Sequence, residues 1–337
     1  MAYTRQNSRR VRKKRKLRRR GKFVIFTLLV AFLAFISYGG YLYLKTTNML
    51  ADSYEADGRE KSALRDAFVD PTKDNISILI VGADSSETRE SLGNPRSDTL
   101  IYATLNKNEN SIKLLSIPRD SLVYIPYLEK ETKINSAYAT KAGLNATIET
   151  VEHLLEVPVD YYVTLNFEAF IDIIDALGGI TIDVPFEIYE QNSKDEANAI
   201  HLLPGRQKLN GEEALAFART RKYDNDIERG KRQQQVIKAV FDKAMSVDAV
   251  LKAGEIIESI GDNLKTNLRP NEIFGLISYA VNGSGLNIES LTLEGYDYQP
   301  GRTYYYKLDE VALEETKRIL REHLELNWNS SNLTTTY

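Results

Sequence analysis

Residues 76–81, ISILIV, are apolar at every position but Ser77 and predict a strand buried on both faces. Two further strand candidates, residues 99–105 and 112–117, flank the short polar stretch 106–110. That arrangement predicts a hairpin, with the first three strands side by side. After Gly143 the spacing changes: Leu144, Ile148, Val151 and Leu155 recur at helical intervals, and Pro158 follows the end of that helix. Residues 161–165 return to a strand. Phe167, Phe170, Ile171, Ile174 and Leu177 mark a second helix, closed by Gly178 and Gly179, and residues 180–184 are a strand again. Strand, helix and strand in this order predict layers, with helices covering a mixed sheet.

Other stretches carry weaker patterns. Residues 46–74 are polar and charged and read as a stalk or a pair of short helices, with helical stretches around 62–68. Residues 118–132 read as irregular, 133–142 as holding a short helix, and 191–199 as a mobile polar loop. A long helix follows, with Val236, Ile237, Val240, Phe241 and Met245 as its apolar stripe. Helices are expected near 249–261, 271–281 and 309–324, a strand near 288–293, a turn at Pro300 and Gly301, and a strand or surface contact at Tyr304, Tyr305 and Tyr306. Residues 328–337 read as a flexible tail.

Charge divides the chain. Residues 1–22 hold twelve of the 44 Lys and Arg and no acid, which leaves 32 cations against 47 acids in the remainder. The 22 uncharged residues 23–44 would span about 33 Å as a helix, enough for one bilayer crossing. The basic arm on one side places the N-terminus in the cytoplasm and everything after about residue 46 outside the cell membrane. Tyr41, Tyr43 and Lys45 fit interfacial anchoring, which favours a retained single-pass anchor over a cleaved signal peptide. No nucleic-acid partner is expected, since topology accounts for the arm. There is no cysteine, which excludes disulfides, thiolate metal sites and a cysteine nucleophile.

Within the acidic remainder, residues 214–235 concentrate six cations: Arg219, Arg221, Lys222, Arg229, Lys231 and Arg232. Residues 210–218 read as a helix. If the chain is extended beyond it, Arg219 and Arg221 share a side. Asp226 suits the N-cap of the next helix, on which Arg229, Arg232 and Gln233 fall at i, i+3 and i+4. Arginine forks suit a diphosphate, although Asp224, Asp226 and Glu228 would equally make this a solvated ionic network. Asp84 follows the first strand, Arg96 and Asp98 open the second, and Arg119 with Asp120 ends the third. A hairpin brings Asp98 and Arg119 to one sheet edge. Asp84 joins them if strands one and three are parallel, and Lys133 could reach the same cleft. Two carboxylates such as Asp84 and Asp98 suit magnesium whose shell is completed by phosphate and water. Walker, HExxH and GxSxG motifs are missing, and His153, His201 and His323 are too scattered for a triad or zinc site.

Six segments in order, VGADSSETRE with PRSDT, LLSIPRDSLVYIP, TKINSAYATKAG, VDYYVTLNFEAFIDIIDALGGITIDV, LLPGRQKLNGEEALAFARTR and DIERGKRQQQVI, resemble the LytR-CpsA-Psr family of cell-envelope attachment proteins. The likeness spans about residues 75–246. One departure is Lys141-Ala142-Gly143, where the family more often has paired glycines. The resemblance implies an α/β fold, a three-layer α/β/α sandwich with a central mixed sheet, preceded by one N-terminal transmembrane helix. A polyprenyl chain would lie in an apolar tunnel between sheet and helices, with its diphosphate at the mouth. The implied reaction is transfer of a glycopolymer, wall teichoic acid or another secondary wall polysaccharide, from an undecaprenyl diphosphate-linked precursor to the C6 hydroxyl of N-acetylmuramic acid in peptidoglycan.

By motif position, Asp84 and Asp98 would bind Mg2+ or Mn2+. Arg119, Arg219, Arg221, Arg229 and Gln233 would contact the diphosphate, with Arg96, Lys133, Asp226 and Arg232 in support. Asp98 or Asp226 would take the proton of the incoming hydroxyl. The expected organisation is a basic arm (1–22), a membrane helix (23–44), a stalk (45–74), a catalytic domain (75–246), C-terminal helices and strands on the same domain (247–327) and a tail (328–337). Two other roles are compatible with the residues: a non-catalytic polyprenyl-diphosphate binding or sensing module, and a transcriptional attenuator acting through the basic arm.

Overall fold

A computed structural model describes residues 53–83, 97–221, 226–244, 263–273, 275–276 and 286–326. The basic arm, the expected membrane helix, the helix at 249–261, most of that at 271–281, Met245 and the tail lie outside the described residues. Asp84, Arg96, Lys222 and Asp224 also lie outside them.

β1 (Ile76–Ala83), β2 (Ser97–Asn106) and β3 (Ser111–Ser116) form the expected antiparallel meander, with Ile76 opposite Leu105 and Ile101 opposite Ser116. β1 and β3 are therefore parallel to each other. A hairpin of β4 (Leu122–Ile125) and β5 (Lys130–Lys133) follows, then α1 (Leu144–Leu155), β6 (Tyr161–Leu165), α2 (Phe167–Ala176) and β7 (Ile180–Val184). After β8 (Ile188–Glu190), β9 (Ile200–Leu202) and β10 (Gly205–Leu209) come α3 (Gly211–Arg219) and α4 (Asp226–Ala244). β11 (Leu264–Thr266), β12 (Asn287–Thr292), β13 (Gly295–Tyr298), β14 (Tyr305–Leu308) and α5 (Glu310–His323) complete the described chain.

The central sheet has six strands in the order β11-β6-β1-β2-β3-β12. It is mixed: β6 runs parallel to β1 and β12 parallel to β3, whereas the other pairs are antiparallel. β1 is apolar apart from Ser77, whose buried hydroxyl donates to Pro158 O, because it lies inside the sheet with both faces covered. On one face Leu79, Val81, Leu100, Tyr102 and Leu115 pack with Ile148, Val151 and Leu155 of α1 and Leu320 of α5. On the other, Ile101, Ala103 and Leu114 pack with Ile237 and Phe241 of α4. The alternation of residues 100–103 between these two clusters is the period-2 geometry of a strand.

Four expectations need correction. Residues 118–132 hold the β4–β5 hairpin, whose four-residue strands, apolar LVYI and polar KETK, are too short to carry a readable alternating pattern. The short helix expected within residues 133–142 is a single turn of 3-10 helix, Ile134–Ser136, and not an α-helix. β7 leaves the central sheet and pairs with β10; Ile180, Ile182 and Val184 instead build a second core with Ala214, Phe217 and Val236. From Ser53 onward the expected stalk is neither free nor helical. Glu55 N donates to Thr266 O at 2.8 Å, Ser62 Oγ to Glu152 Oε1 at 2.6 Å, and Arg65 Nε to Asp160 Oδ1 at 2.9 Å. These polar side chains found distant partners, which local periodicity does not encode. The departure before α1 is harmless: Gly143, at φ 52°, supplies the left-handed residue there, and Ala142 needs no positive φ.

Candidate functional site

α3 starts on a capping box: Asn210 Oδ1 accepts from Glu213 N, and the Glu213 carboxylate accepts from Asn210 N, both at 2.9 Å. Its last residue is Arg219, after which Thr220 turns extended at φ −58°, ψ 138°. Arg219 and Arg221 consequently both reach one cavity wall. α4 opens at Asp226, which lies in the first helical turn and not at the cap. The helix packs close enough to the sheet that a Cβ on Gly230 would stand 2.5 Å from Ser116 Oγ. Gly230 thus lets Arg229 and Gln233, one residue before and three after, approach β2. Gln233 Nε2 donates to Thr99 Oγ1 at 2.9 Å, and Arg229 Nη2 to the main-chain oxygen of Asp98 at 3.3 Å.

These elements enclose a cavity of about 580 Å³ between the sheet and α2, α3 and α4. Ile80, Ile101, Leu165, Phe170, Leu215 and Ile237 make part of it apolar, and Asp98, Arg119, Arg219, Arg221, Arg229 and Gln233 supply its polar wall. At the sheet edge Arg119 Nη1 donates to Asp98 Oδ1. Asp98 Oδ2 has no hydrogen-bond partner among the described residues. Arg219 Nη2 donates to the carbonyls of Gln191 (2.6 Å) and Asn192 (2.9 Å), and Arg219 Cζ lies 6.0 Å from the Phe167 ring centroid. Arg221 is exposed and has no hydrogen-bond or ion-pair partner among the described residues.

Arg229 is 6% exposed, and Asp226 Oδ1 lies 2.7 Å from its Nη2. That contact has the distance of an ion pair but not the alignment of a hydrogen bond, so both Asp226 oxygens are buried without a hydrogen bond among the described residues. Burial pushes the Arg229 guanidinium below its ordinary pKa. Asp226 opposes that shift, whereas the nearby charges of Arg119 and Arg221 add to it. Arg119 Nε is likewise buried and unbonded. Three converging guanidiniums, with donor capacity unspent, have the charge and donors that suit a multiply charged anion.

Seven of the expected residues come together here: Asp98, Arg119, Arg219, Arg221, Arg229 and Gln233 on the wall, with Asp226 behind Arg229. Two do not reach the cavity. Arg232 is 4% exposed and is occupied by the carbonyls of Phe217 (3.1 Å) and Thr220 (2.5 Å), so it fastens the end of α3 to α4. Lys133 pairs with Asp120 at 2.7 Å, on the β5 side of Arg119. Asp84 and Arg96 lie outside the described residues. The apolar lining and Thr99 were not anticipated as site residues, because Ile80, Phe170 and Ile237 carry the same periodicity as core.

Comparison with known proteins agrees with this geometry. The LytR_cpsA_psr family matches residues 40–322, well beyond the segment 75–246 that carries the motifs, as expected when β12 and α5 complete the same sheet and core. The polyisoprenyl-teichoic acid–peptidoglycan teichoic acid transferase TagV of Bacillus subtilis (strain 168) is 39% identical over 317 residues, 92% of this chain and 80% of that protein. TagT of the same strain, named for the same activity, is 38% identical over 322 residues, 95% and 99% of the two chains. A solved structure of the LytR-CPS2A-psr family protein YwtF (TagT) with bound octaprenyl pyrophosphate lipid superimposes with a TM-score of 0.65 at 36% identity, covering 80% of this chain and 98% of that one. By sequence along most of its length, and by the fold that sequence adopts, this chain belongs to the LytR-CpsA-Psr family.

Proposed function

We propose that this chain is a membrane-anchored phosphotransferase that moves a wall glycopolymer, such as teichoic acid, from an undecaprenyl diphosphate carrier to the C6 hydroxyl of N-acetylmuramic acid in peptidoglycan. The observation that carries this reading is the joining of an apolar cavity to a guanidinium rim: Ile80, Ile101, Phe170 and Leu215 suit a prenyl chain, while Arg119, Arg221 and Arg229 suit its diphosphate. The names of TagV and TagT, and the octaprenyl pyrophosphate bound by YwtF, support the same assignment. Residues 23–44 would anchor the chain, with the described domain on the outer face of the membrane.

In this mechanism the acceptor hydroxyl oxygen attacks the phosphorus that carries the polymer. A new P–O ester forms, the P–O–P bridge breaks, and polyprenyl phosphate leaves with the bridging oxygen. Arg119, Arg221 and Arg229 offset the charge that grows on the leaving phosphate, and the Gln233 amide adds a neutral donor. Of the two carboxylates, Asp98 lines the cavity whereas Asp226 is committed to Arg229. Asp98 therefore takes the hydroxyl proton, and Asp226 positions Arg229.

The donor set fits magnesium: Asp98 Oδ2 is a hard oxygen without a hydrogen bond among the described residues, and magnesium needs only one or two carboxylates beside phosphate and water. Asp98 and Asp84 would hold it, and Mn2+ would substitute. Bound there, the ion would polarise phosphoryl oxygen. The test is polymer transfer by the full-length chain in detergent, from a lipid diphosphate to peptidoglycan oligomers with Mg2+ present. A wild type that transfers nothing across varied donors would overturn the reading.

A further inference from the structure

Beside the rim lies a pair of tyrosines that the transfer mechanism leaves unused. Tyr306 N donates to Asp120 O at 2.9 Å and Ser121 bridges to Tyr306, which fixes β14 against the residues just after Arg119. Tyr306 itself is 5% exposed, with its hydroxyl on Leu293 O at 3.2 Å, and serves the core. Its two predecessors do not: Tyr304 is 36% exposed and Tyr305 half-buried. Lys133 Nζ stands 5.8 Å from the Tyr304 ring centroid and 6.0 Å from that of Tyr305. It is also 2.7 Å from Asp120 Oδ1, and Asp120 Oδ2 is 3.8 Å from Arg119 Nε. Tyr304 donates its hydroxyl to Asp297 Oδ1 at 2.8 Å. A network of single contacts thus runs from the rings to the phosphate-side arginine.

Accessible aromatic rings ringed by carboxylates and an ammonium group match a pyranose. The electron-rich ring face takes the sugar's C–H face, and the charged groups take its hydroxyls. We infer that Tyr304 and Tyr305, with Lys133, Asp120 and Asp297, form a saccharide subsite that holds the acceptor glycan strand beside Asp98. This rests on the transfer reading for its acceptor, and it supplies what that reading lacks, a place for the second substrate. The donor's side of the rim is built by α3, the residues just after it and α4 through Arg219, Arg221, Arg229 and Gln233, whereas this platform is built by β5, the first residue of β14 and the residue before it. In-line displacement at phosphorus requires nucleophile and leaving group to come from different sides. Burial raises the Tyr304 hydroxyl pKa, as do its bond to Asp297 and the charges of Asp297, Asp120 and Asp226. It therefore stays a neutral hydroxyl at any working pH.

The test is titration calorimetry of the full-length chain in detergent micelles with two probes: peptide-free peptidoglycan glycan strands, and free teichoic acid. The Tyr304→Ala/Tyr305→Ala pair should weaken glycan-strand binding about tenfold or more, the scale of one lost stacking contact. Tyr304→Phe/Tyr305→Phe should retain most of it. Octaprenyl diphosphate affinity should stay unchanged in both, which also reports that the variants are folded. Equal glycan affinity in wild type and the double-alanine protein, no glycan binding by the wild type, or Tyr304- and Tyr305-dependent binding of teichoic acid instead would each overturn the assignment. Intact, tyrosine-dependent glycan binding without polymer transfer would overturn the transferase reading and leave the subsite standing.

Discussion

Arg119, three residues past the end of β3, donates to the carboxylate of Asp98, the second residue of β2. The group assigned to the diphosphate and the group assigned to the proton are each other's partner before any ligand arrives. On the proposed mechanism, phosphate oxygens that draw Arg119 away would leave Asp98 free to accept a proton, so that donor binding would arm the base.

The isosteric Asp98→Asn variant should therefore lose transfer by about 100-fold or more, the usual scale for a removed general base. Octaprenyl diphosphate binding should persist, since the arginines remain, while any strengthening of that binding by Mg2+ should disappear. Turnover assays paired with calorimetry, with and without Mg2+, read the two effects separately.

Arg221 and Arg229 should part company when each is replaced by alanine. Arg221 is exposed and makes no hydrogen bond or ion pair among the described residues, so Arg221→Ala should abolish transfer at unchanged stability. Arg229→Ala strands the Asp226 carboxylate in the interior and should cost about 3–5 kcal/mol, with Arg229→Ala/Asp226→Ala recovering part of it. Urea unfolding monitored by circular dichroism measures both.

Phe170 separates tail from head. Phe170→Glu places a charge in the apolar part of the cavity and should weaken octaprenyl diphosphate binding by roughly tenfold or more, the value of one buried aromatic side chain. Affinity for inorganic pyrophosphate should be unaltered. In the wild type, affinity should climb with prenyl length, about 0.8 kcal/mol per buried methylene, until the cavity is full.

His323 should make stability depend on pH. Its ring is buried between Thr104 Oγ1 at 2.7 Å and Ser111 Oγ at 2.8 Å, and desolvation, reinforced by Lys113, lowers its pKa from the ordinary 6.5 against the opposing pull of Glu109, Glu289 and Glu325. The unfolded chain then binds the extra proton first. Stability present above pH 6.5 is lost as pH falls from there through the depressed folded value. His323→Gln should flatten that segment of the profile in unfolding experiments at stepped pH.

Legibility in the sequence followed the range of the forces involved. Residues 76–81 announced themselves as a nearly continuous apolar run buried on both faces, and 144–155 and 167–177 because burial of one face imposes a period on the local sequence; the hairpin at 106–110 then put Asp98 beside Arg119. The arginines were legible as an anion site because six cations in an acidic region need a reason. Arg232 was not separable from them, since only its contacts with Phe217 O and Thr220 O distinguish a clamp on the backbone from a ligand contact. Nor was the packing of residues 53–74, where Arg65 meets Asp160 across 95 positions. Ile80, Phe170 and Ile237 look like core in any window, and the cavity arises from what fails to fill the space between them.

β11 and β12, the two outer strands of the central sheet, are both drawn from beyond residue 263, and His323 reaches back 219 positions to Thr104. A growing chain that has already delivered Asp98, Arg119, Arg221 and Arg229 still has neither flank of the sheet, and β3 and β6 would present open hydrogen-bonding edges to any neighbour. Closing loops of this size is slow, so maturation waits for the last quarter of the polypeptide. Nascent copies on one polysome are accordingly at risk of pairing with each other, and the polar segment around β12 is what each must reach before it is safe.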